Sequence, residues 1–207
     1  ILPPLIFMGV GAMTDFGPML RNLRLAFFGA AAQIGIFIVL ISAVALGFSA
    51  PEAAALGIIG GADGPTAIFI AIELAPHLLG PIAIAAYSYM ALVPVILPLV
   101  AKLTISEKEF KIHMKKQDKL YPNKIKIKDL KTVKIIFPIA LAIVVCLVVP
   151  TAAPLVGMLL FGNLVKEIGS STNRLFKAAS DTIMNVATVF LGLIVGSTMT
   201  ASSFLDT

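Results

Sequence analysis

The feature that most restricts this chain is the recurrence of apolar runs near the length of a bilayer crossing. Residues 25–48, 53–75, 81–100, 135–150 and 182–199 are such stretches, with few or no charged side chains. About 20 apolar residues span the hydrocarbon as a helix. Backbone groups in lipid must be satisfied internally, so runs of this length imply helices rather than isolated strands. Composition agrees. The chain is 58% hydrophobic and 13% charged with mean hydropathy +1.00, whereas a soluble domain is about a quarter charged. Too little polar surface is present to cover a water-facing globule. An all-α integral membrane protein is the expected class.

The single cysteine, Cys146, lies inside an apolar run. It excludes a disulfide within the chain and suggests neither a Cys-based zinc site nor an iron–sulfur site; a small core residue is expected. His77 and His113 lie far apart in loop-like stretches, so no metal site is built on them. The chain starts at Ile1 and ends at Asp206-Thr207 after another apolar run, and is read as a piece of a longer protein.

Residues 2–13 are apolar but short, the end of a span or a half-helix, and TDFGP (14–18) breaks them. Arg21 and Arg24 precede the 25–48 run, which PE (51–52) closes. APHLLGP (75–81) reads as a turn, and Pro94 and Pro98 fall near the end of the 81–100 run. A span then begins near Pro138, a short apolar piece covers 152–165, and Lys166, Arg174 and Lys177 mark a second basic loop. Three stretches follow from this: membrane segments over 1–101, a Lys-rich loop over 102–134, and membrane segments over 135–207.

Eleven of the sixteen basic residues sit in 102–134 against four acids, interrupted by YPN (121–123). Cytoplasmic loops carry the excess of Lys and Arg, which places this loop in the cytoplasm. It is either a solvated loop or a docking surface for a partner or for anionic lipid headgroups. No nucleic-acid partner is expected. One count does not close. If Arg21 and Arg24 are also cytoplasmic, three simple crossings would put the Lys-rich loop outside. Either 53–75 is not a simple crossing, or the Arg pair lies on the other side.

The 53–75 run itself suggests the former. It contains GIIGGADGPTAIF (57–69), with four glycines, one proline and one aspartate between apolar arms. A helix interior rejects Pro and penalises Gly. A carboxylate at membrane depth is costly and marks function by default. Secondary transporters combine a broken helix with such an acid to hold a cation near the midplane. The donors on offer are oxygens: the Asp63 carboxylate, the Thr66 hydroxyl and the carbonyls of Ile59 to Ala62. These suit a hard cation such as Na⁺, or a proton. The competing reading is an ordinary Asp-Gly turn in water.

Other polar groups carry two readings each. Tyr87, Ser88 and Tyr89 are either an interfacial belt or a hydroxyl relay for protons. Asn163, Asn185, Thr188, Ser197 and Thr198 are expected to join helices. Asp15 is a second half-helix break or a helix cap, with the cap favoured.

GIIGGADGPTAIF (57–69) followed by YSYMALVP (87–94) closely resembles the β subunit of the biotin-dependent sodium-pumping decarboxylases, which act on oxaloacetate, glutaconyl-CoA or methylmalonyl-CoA. GVGAMTDFGP (9–18), GAAAQIGIF (29–37) and APLVGMLLFGNLVKE (153–167) resemble the same family, so the likeness covers nearly the whole chain. It implies a multi-pass protein of the bacterial inner membrane. The broken motif itself gives discontinuous helices, and inverted repeats, common in transporters, are hinted at by the short 2–18 and 152–165 segments. The resemblance implies partners: biotin-carrier and carboxyltransferase subunits, a small γ/δ-type membrane subunit, membrane lipid, and an oligomeric assembly. Carboxybiotin, carried by a partner, would be decarboxylated while Na⁺ is exported and a proton taken up. Asp63 would match the Na⁺- and proton-linked carboxylate. Tyr87 and Tyr89 would match tyrosines that handle the proton. Gly60, Gly61, Gly64, Pro65 and Thr66 would shape or ligate the Na⁺ site. The family chain is longer at both ends and carries a second motif of Asn, Gly, Ser and Arg. The alternative is a Na⁺-coupled secondary transporter of a small anion without decarboxylase activity.

Overall fold

The computed structural model describes residues 1–120 and 129–197. The YPN interruption, the middle of the Lys-rich stretch and Thr198 lie outside the described residues. Among the described residues the regular structure is helical. α1 (Leu2–Met13) ends where Thr14 turns extended. α2 (Gly17–Arg21) and a 3-10 turn (Leu23–Leu25) lead into α3 (Ala26–Ala45). α4 (Ala50–Gly57), a 3-10 turn (Ile58–Gly60) and α5 (Gly64–Leu74) form the interrupted segment. α6 (Leu79–Thr104), α7 (Glu107–Phe110) and α8 (Met114–Leu120) follow. α9 (Leu130–Val148), α10 (Ala153–Ile168), α11 (Asn173–Lys177), a π-helical turn (Ala178–Ile183) and α12 (Met184–Ser197) complete the chain. Counting adjoining turns, five segments among the described residues are long and apolar enough to cross a membrane: Leu23–Ala45, Pro76–Thr104, Leu130–Val148, Pro150–Ile168 and Ser170–Ser197.

Several boundaries differ from the sequence reading. Pro51 and Glu52 do not close a span; they open α4, because Ser49 and Glu52 form a reciprocal capping box and Pro fits the first helical turn. The APHLLGP turn is shorter than its sequence suggests: α6 starts at Leu79, with Pro81 tolerated in the first turn. Pro94, Pro98 and Pro138 lie inside helices rather than at their ends. Lys134 belongs to α9 and Lys166 to α10, not to loops.

α1 and α10 pack backbone to backbone. A Cβ added at Gly11 would sit 1.8 Å from the Leu159 carbonyl oxygen, and one at Gly162 would sit 1.9 Å from that of Met8. Small residues permit such an approach, and a buried amide secures it. Asn163 is 1% exposed. Its Nδ2 donates to the carbonyls of Gly11 (3.2 Å) and Thr14 (2.8 Å). Asn163 therefore joins helices as expected. Asn185, Thr188 and Ser197 are exposed and hydrogen-bond within their own helical stretch, to Asp181, Met184 and Ile194.

The ends of α1, α9 and α10 meet in a polar cluster on one face. Lys134 Nζ lies 2.8 Å from Asp15 Oδ1 and 3.0 Å from Glu167 Oε1. Lys166 Nζ donates to the Thr14 carbonyl at 2.7 Å. Asp15 also accepts from the Gly17 amide at 2.9 Å and so ties down the turn into α2, but it is not the cap expected of it: Phe16 occupies the N-cap position, with no side-chain cap. The hydrogen bond from Lys134 holds the Asp15 carboxyl below the usual carboxylate range. We call this side the basic face, since Arg21 and Arg24 follow Asp15 closely and the α10–α11 connection follows Glu167.

The interrupted segment is a hairpin. Glu52, in the first turn of α4, accepts or shares a proton with His77 Nε2 at 2.7 Å, just past the end of α5. A continuous helix would separate these residues by about 37 Å at 1.5 Å per residue. Ala55 of α4 packs with Ala67, Ala71 and Ala75 along the returning arm. Both arms thus end on the face opposite the basic one. The crossing count now closes: α3 leaves the basic face, the hairpin returns to where it began, and α6 brings the Lys-rich stretch back to the basic face. Cysteines placed at Asn22 and His77 should accordingly react with an impermeant maleimide from opposite sides of the membrane. Labelling of both from one side would mean that 50–75 crosses once.

Candidate functional site

The site lies at the tip of the hairpin. α4 spans eight residues, about 12 Å, and the 3-10 turn adds about 6 Å. The eleven residues of α5 return about 16 Å. Arms of this reach end near the middle of a hydrocarbon layer about 30 Å thick. The break arises locally. Gly61 lies past the last 3-10 turn, Asp63 adopts an extended conformation, and Pro65 starts α5 where no amide donor is required.

Asp63 caps α5. Its Oδ1 accepts from the Thr66 amide at 3.0 Å and from the Thr66 hydroxyl. Both bonds fall on one oxygen and leave Oδ2 with its lone pairs. The Tyr89 hydroxyl donates to the Ala62 carbonyl at 2.5 Å, pinning the residue before the aspartate to the middle of α6. Tyr87 and Met90 press on Gly64: a Cβ there would meet Tyr87 Cε1 at 3.1 Å and Met90 Sδ at 3.3 Å. On the other side α3 supports the tip, since a Cβ at Gly61 would lie 2.3 Å from the Ile36 side chain.

The structure therefore gathers Asp63, Thr66, Gly61, Gly64, Tyr87 and Tyr89. Gly60 stands apart: a Cβ there would meet nothing within 4 Å, so packing does not demand glycine at that position. Sequence reasoning missed Ile36 and Met90. Both are ordinary apolar side chains inside apolar helices, and only tertiary packing marks them. It also missed the pairing of Lys134 with Asp15 and Glu167, which joins motifs separated by more than a hundred residues.

Chemically, the tip offers a carboxylate oxygen, the carbonyl-bearing end of one half-helix and the amide end of another. Oxygen donors of this kind suit a hard monovalent cation or a proton. Among the described residues no cluster of three or more His, Cys, Asp or Glu could hold a transition metal.

The profile of the Na⁺-transporting oxaloacetate decarboxylase beta subunit family matches residues 1–207. The chain is 55% identical over 206 residues to the methylmalonyl-CoA decarboxylase subunit beta of Propionigenium modestum, covering 99% of this chain and 50% of that protein. It is 51% identical over 209 residues to the glutaconyl-CoA decarboxylase subunit beta of Acidaminococcus fermentans, covering 99% and 52%. It is 50% identical over 216 residues to the oxaloacetate decarboxylase beta chain of Klebsiella pneumoniae, covering 100% and 47%. The chain spans about half the length of these relatives. With a match over all its residues and identities of this size, the chain belongs to the beta-subunit family of the Na⁺-transporting decarboxylases.

Proposed function

We propose that the protein containing this chain is the membrane subunit that decarboxylates carboxybiotin and couples the reaction to Na⁺ export with proton uptake. The observation that carries the reading is Asp63, held through one carboxylate oxygen at the break of a hairpin between α3 and α6. The relatives named above are decarboxylase beta subunits. By the positive-inside rule the basic face is cytoplasmic, in a bacterial inner membrane, and the hairpin opens from the outside.

Carboxybiotin is an N-carboxylated urea. Protonation of its ring nitrogen lets the C–N bond break, with the bonding electrons staying on nitrogen and CO₂ leaving. A group that delivers that proton acts as general acid. Asp63 can carry either a proton or Na⁺, but a single carboxylate at membrane depth holds both only at high cost. Exchange of one for the other at Asp63 couples decarboxylation to transport. Tyr87 and Tyr89 line the approach to it as hydroxyl donors and acceptors. Thr66 and the carbonyls around Gly60 and Gly61 complete the oxygen set for Na⁺. Biotin-carrier and carboxyltransferase subunits, with a small γ/δ-type membrane subunit, bring the substrate. Relatives named for three different substrates are each 50–55% identical to this chain, so the soluble partner, not this chain, sets the acid.

Inverted vesicles holding the complete complex test the reading. Substrate should drive ²²Na⁺ uptake that avidin blocks. Uptake without a decarboxylation substrate, and insensitive to avidin, would instead make the protein a Na⁺-coupled anion transporter.

Tyr89 allows a graded test. Tyr89→Phe removes the donor to the Ala62 carbonyl and leaves that group unpaired, a loss of about 1–2 kcal/mol. The Na⁺ concentration for half-maximal decarboxylation should rise about tenfold. An unchanged Na⁺ midpoint would remove Tyr89 from the site.

A further inference from the structure

We propose that the segment from Lys102 to Lys111 is an interfacial anchor that binds anionic phospholipid headgroups at the basic face. The last turns of α6 expose large apolar side chains on more than one side, with Leu99 at 61% and Leu103 at 79% along one side and Leu97 at 62% on another. In a helix long enough to span, exposed apolar side chains of this kind are suited to hydrocarbon. The chain leaves α6 at Ile105, which is extended, and Ser106 restarts it as α7 through a capping box with Glu109. Ile105 and Phe110 stay exposed, Phe110 at 68%. They continue the apolar surface of α6 to the level where acyl chains meet headgroups.

Basic side chains stand at the same level. Lys102, Ile105, Glu107, Phe110 and Lys111 line a cleft of about 510 Å³. Glu107 opposes an anion there, and two lysines outweigh it. The carboxylate of Glu109 is taken up by its own cap, accepting from the Ser106 amide at 3.0 Å and from its hydroxyl at 2.6 Å. Residues 102–120 carry six lysines against three acids. Apolar insertion beside clustered lysines is the pairing that holds a segment at an anionic membrane surface. A soluble protein docking here would instead need Phe110 and Ile105 lifted clear of the bilayer, although they extend a surface suited to it.

Phe110→Trp supplies a reporter, because residues 1–207 contain no tryptophan. The full complex carrying it is reconstituted in vesicles of phosphatidylcholine with a minority of phosphatidylglycerol, one lipid or the other being brominated. Quenching of the added fluorescence, taken as the difference from the parent complex, should show phosphatidylglycerol enriched at least about twofold over random mixing. The enrichment should vanish in the Lys102→Gln, Lys108→Gln, Lys111→Gln background. It should also fall at high salt in the unaltered lysine background, a reading that does not depend on how the triple variant folds. Quenching by both lipids in proportion to their amounts would overturn the headgroup site. Absence of quenching by either would overturn the anchor and mark the segment as a surface for a soluble partner.

Discussion

Replacing Asp63 with Asn is expected to stop the pump while leaving the fold intact. Asn keeps the side-chain oxygen that caps α5 and is as good an N-cap as Asp. What it loses is the charge for which, in the proposed mechanism, Na⁺ and the proton exchange. Substrate-driven Na⁺ uptake should fall by about 100-fold or more, since an uncompensated cation would then have to occupy membrane depth. Na⁺-dependent CO₂ release should fall with it. Asp63→Ala loses both cap and charge, so it should also lower the melting temperature of the purified complex. The pair separates two readings of the same residue. If Asp63 were only a turn residue, Asn would pump normally and Ala alone would be impaired.

The second large effect is expected at the α1–α10 crossing. Gly11→Val and Gly162→Val each push a side chain into backbone that a flexible neighbour cannot yield, at Leu159 and Met8. Overpacking of this kind costs about 3 kcal/mol or more. The loss should appear as a drop of roughly 10 °C in the unfolding midpoint of the detergent-solubilised complex, or as failure to assemble. Gly157→Ala is the internal control. It lies in the same helix, its added Cβ meets nothing within 4 Å, and alanine favours helix. It should be neutral or mildly stabilising. Damage from Gly157→Ala equal to that from Gly162→Val would mean that α10 tolerates no change, and that the close approach is not the cause.

Much of this was legible in the residues. Span-length runs fix helices because lipid offers the backbone no partners, and Gly60-Gly61 with Asp63-Gly64-Pro65 cannot continue a helix. Asp63 and Thr66 are three residues apart, the reach of a cap, so their contact is local. The break in 53–75 was legible but the return was not, because an interrupted helix can either continue or return, and the meeting of Glu52 with His77 and the packing of Ala55 on Ala67, Ala71 and Ala75 decide it. Lys134 was equally hidden. Within a run of eleven basic residues nothing distinguishes the one that packs between Asp15 and Glu167. Asn163 and Asn185 show the limit from the other side. Both are amides in apolar helices, yet one faces a neighbouring backbone and the other its own preceding turn.

The hairpin also has an electrical consequence. Because both arms start from one face and stop about halfway, Asp63 divides the membrane voltage rather than sitting at either end of it. A charge crossing the whole layer gains or loses about 2.3 kcal/mol per 100 mV, so one moving between the tip and a single face meets roughly 1.2. If the tip holds Na⁺ as proposed, its affinity for the ion from either side changes about sevenfold for each 100 mV. An energised membrane thus retunes the site without any residue moving, and opposes or assists loading according to the face from which the ion arrives.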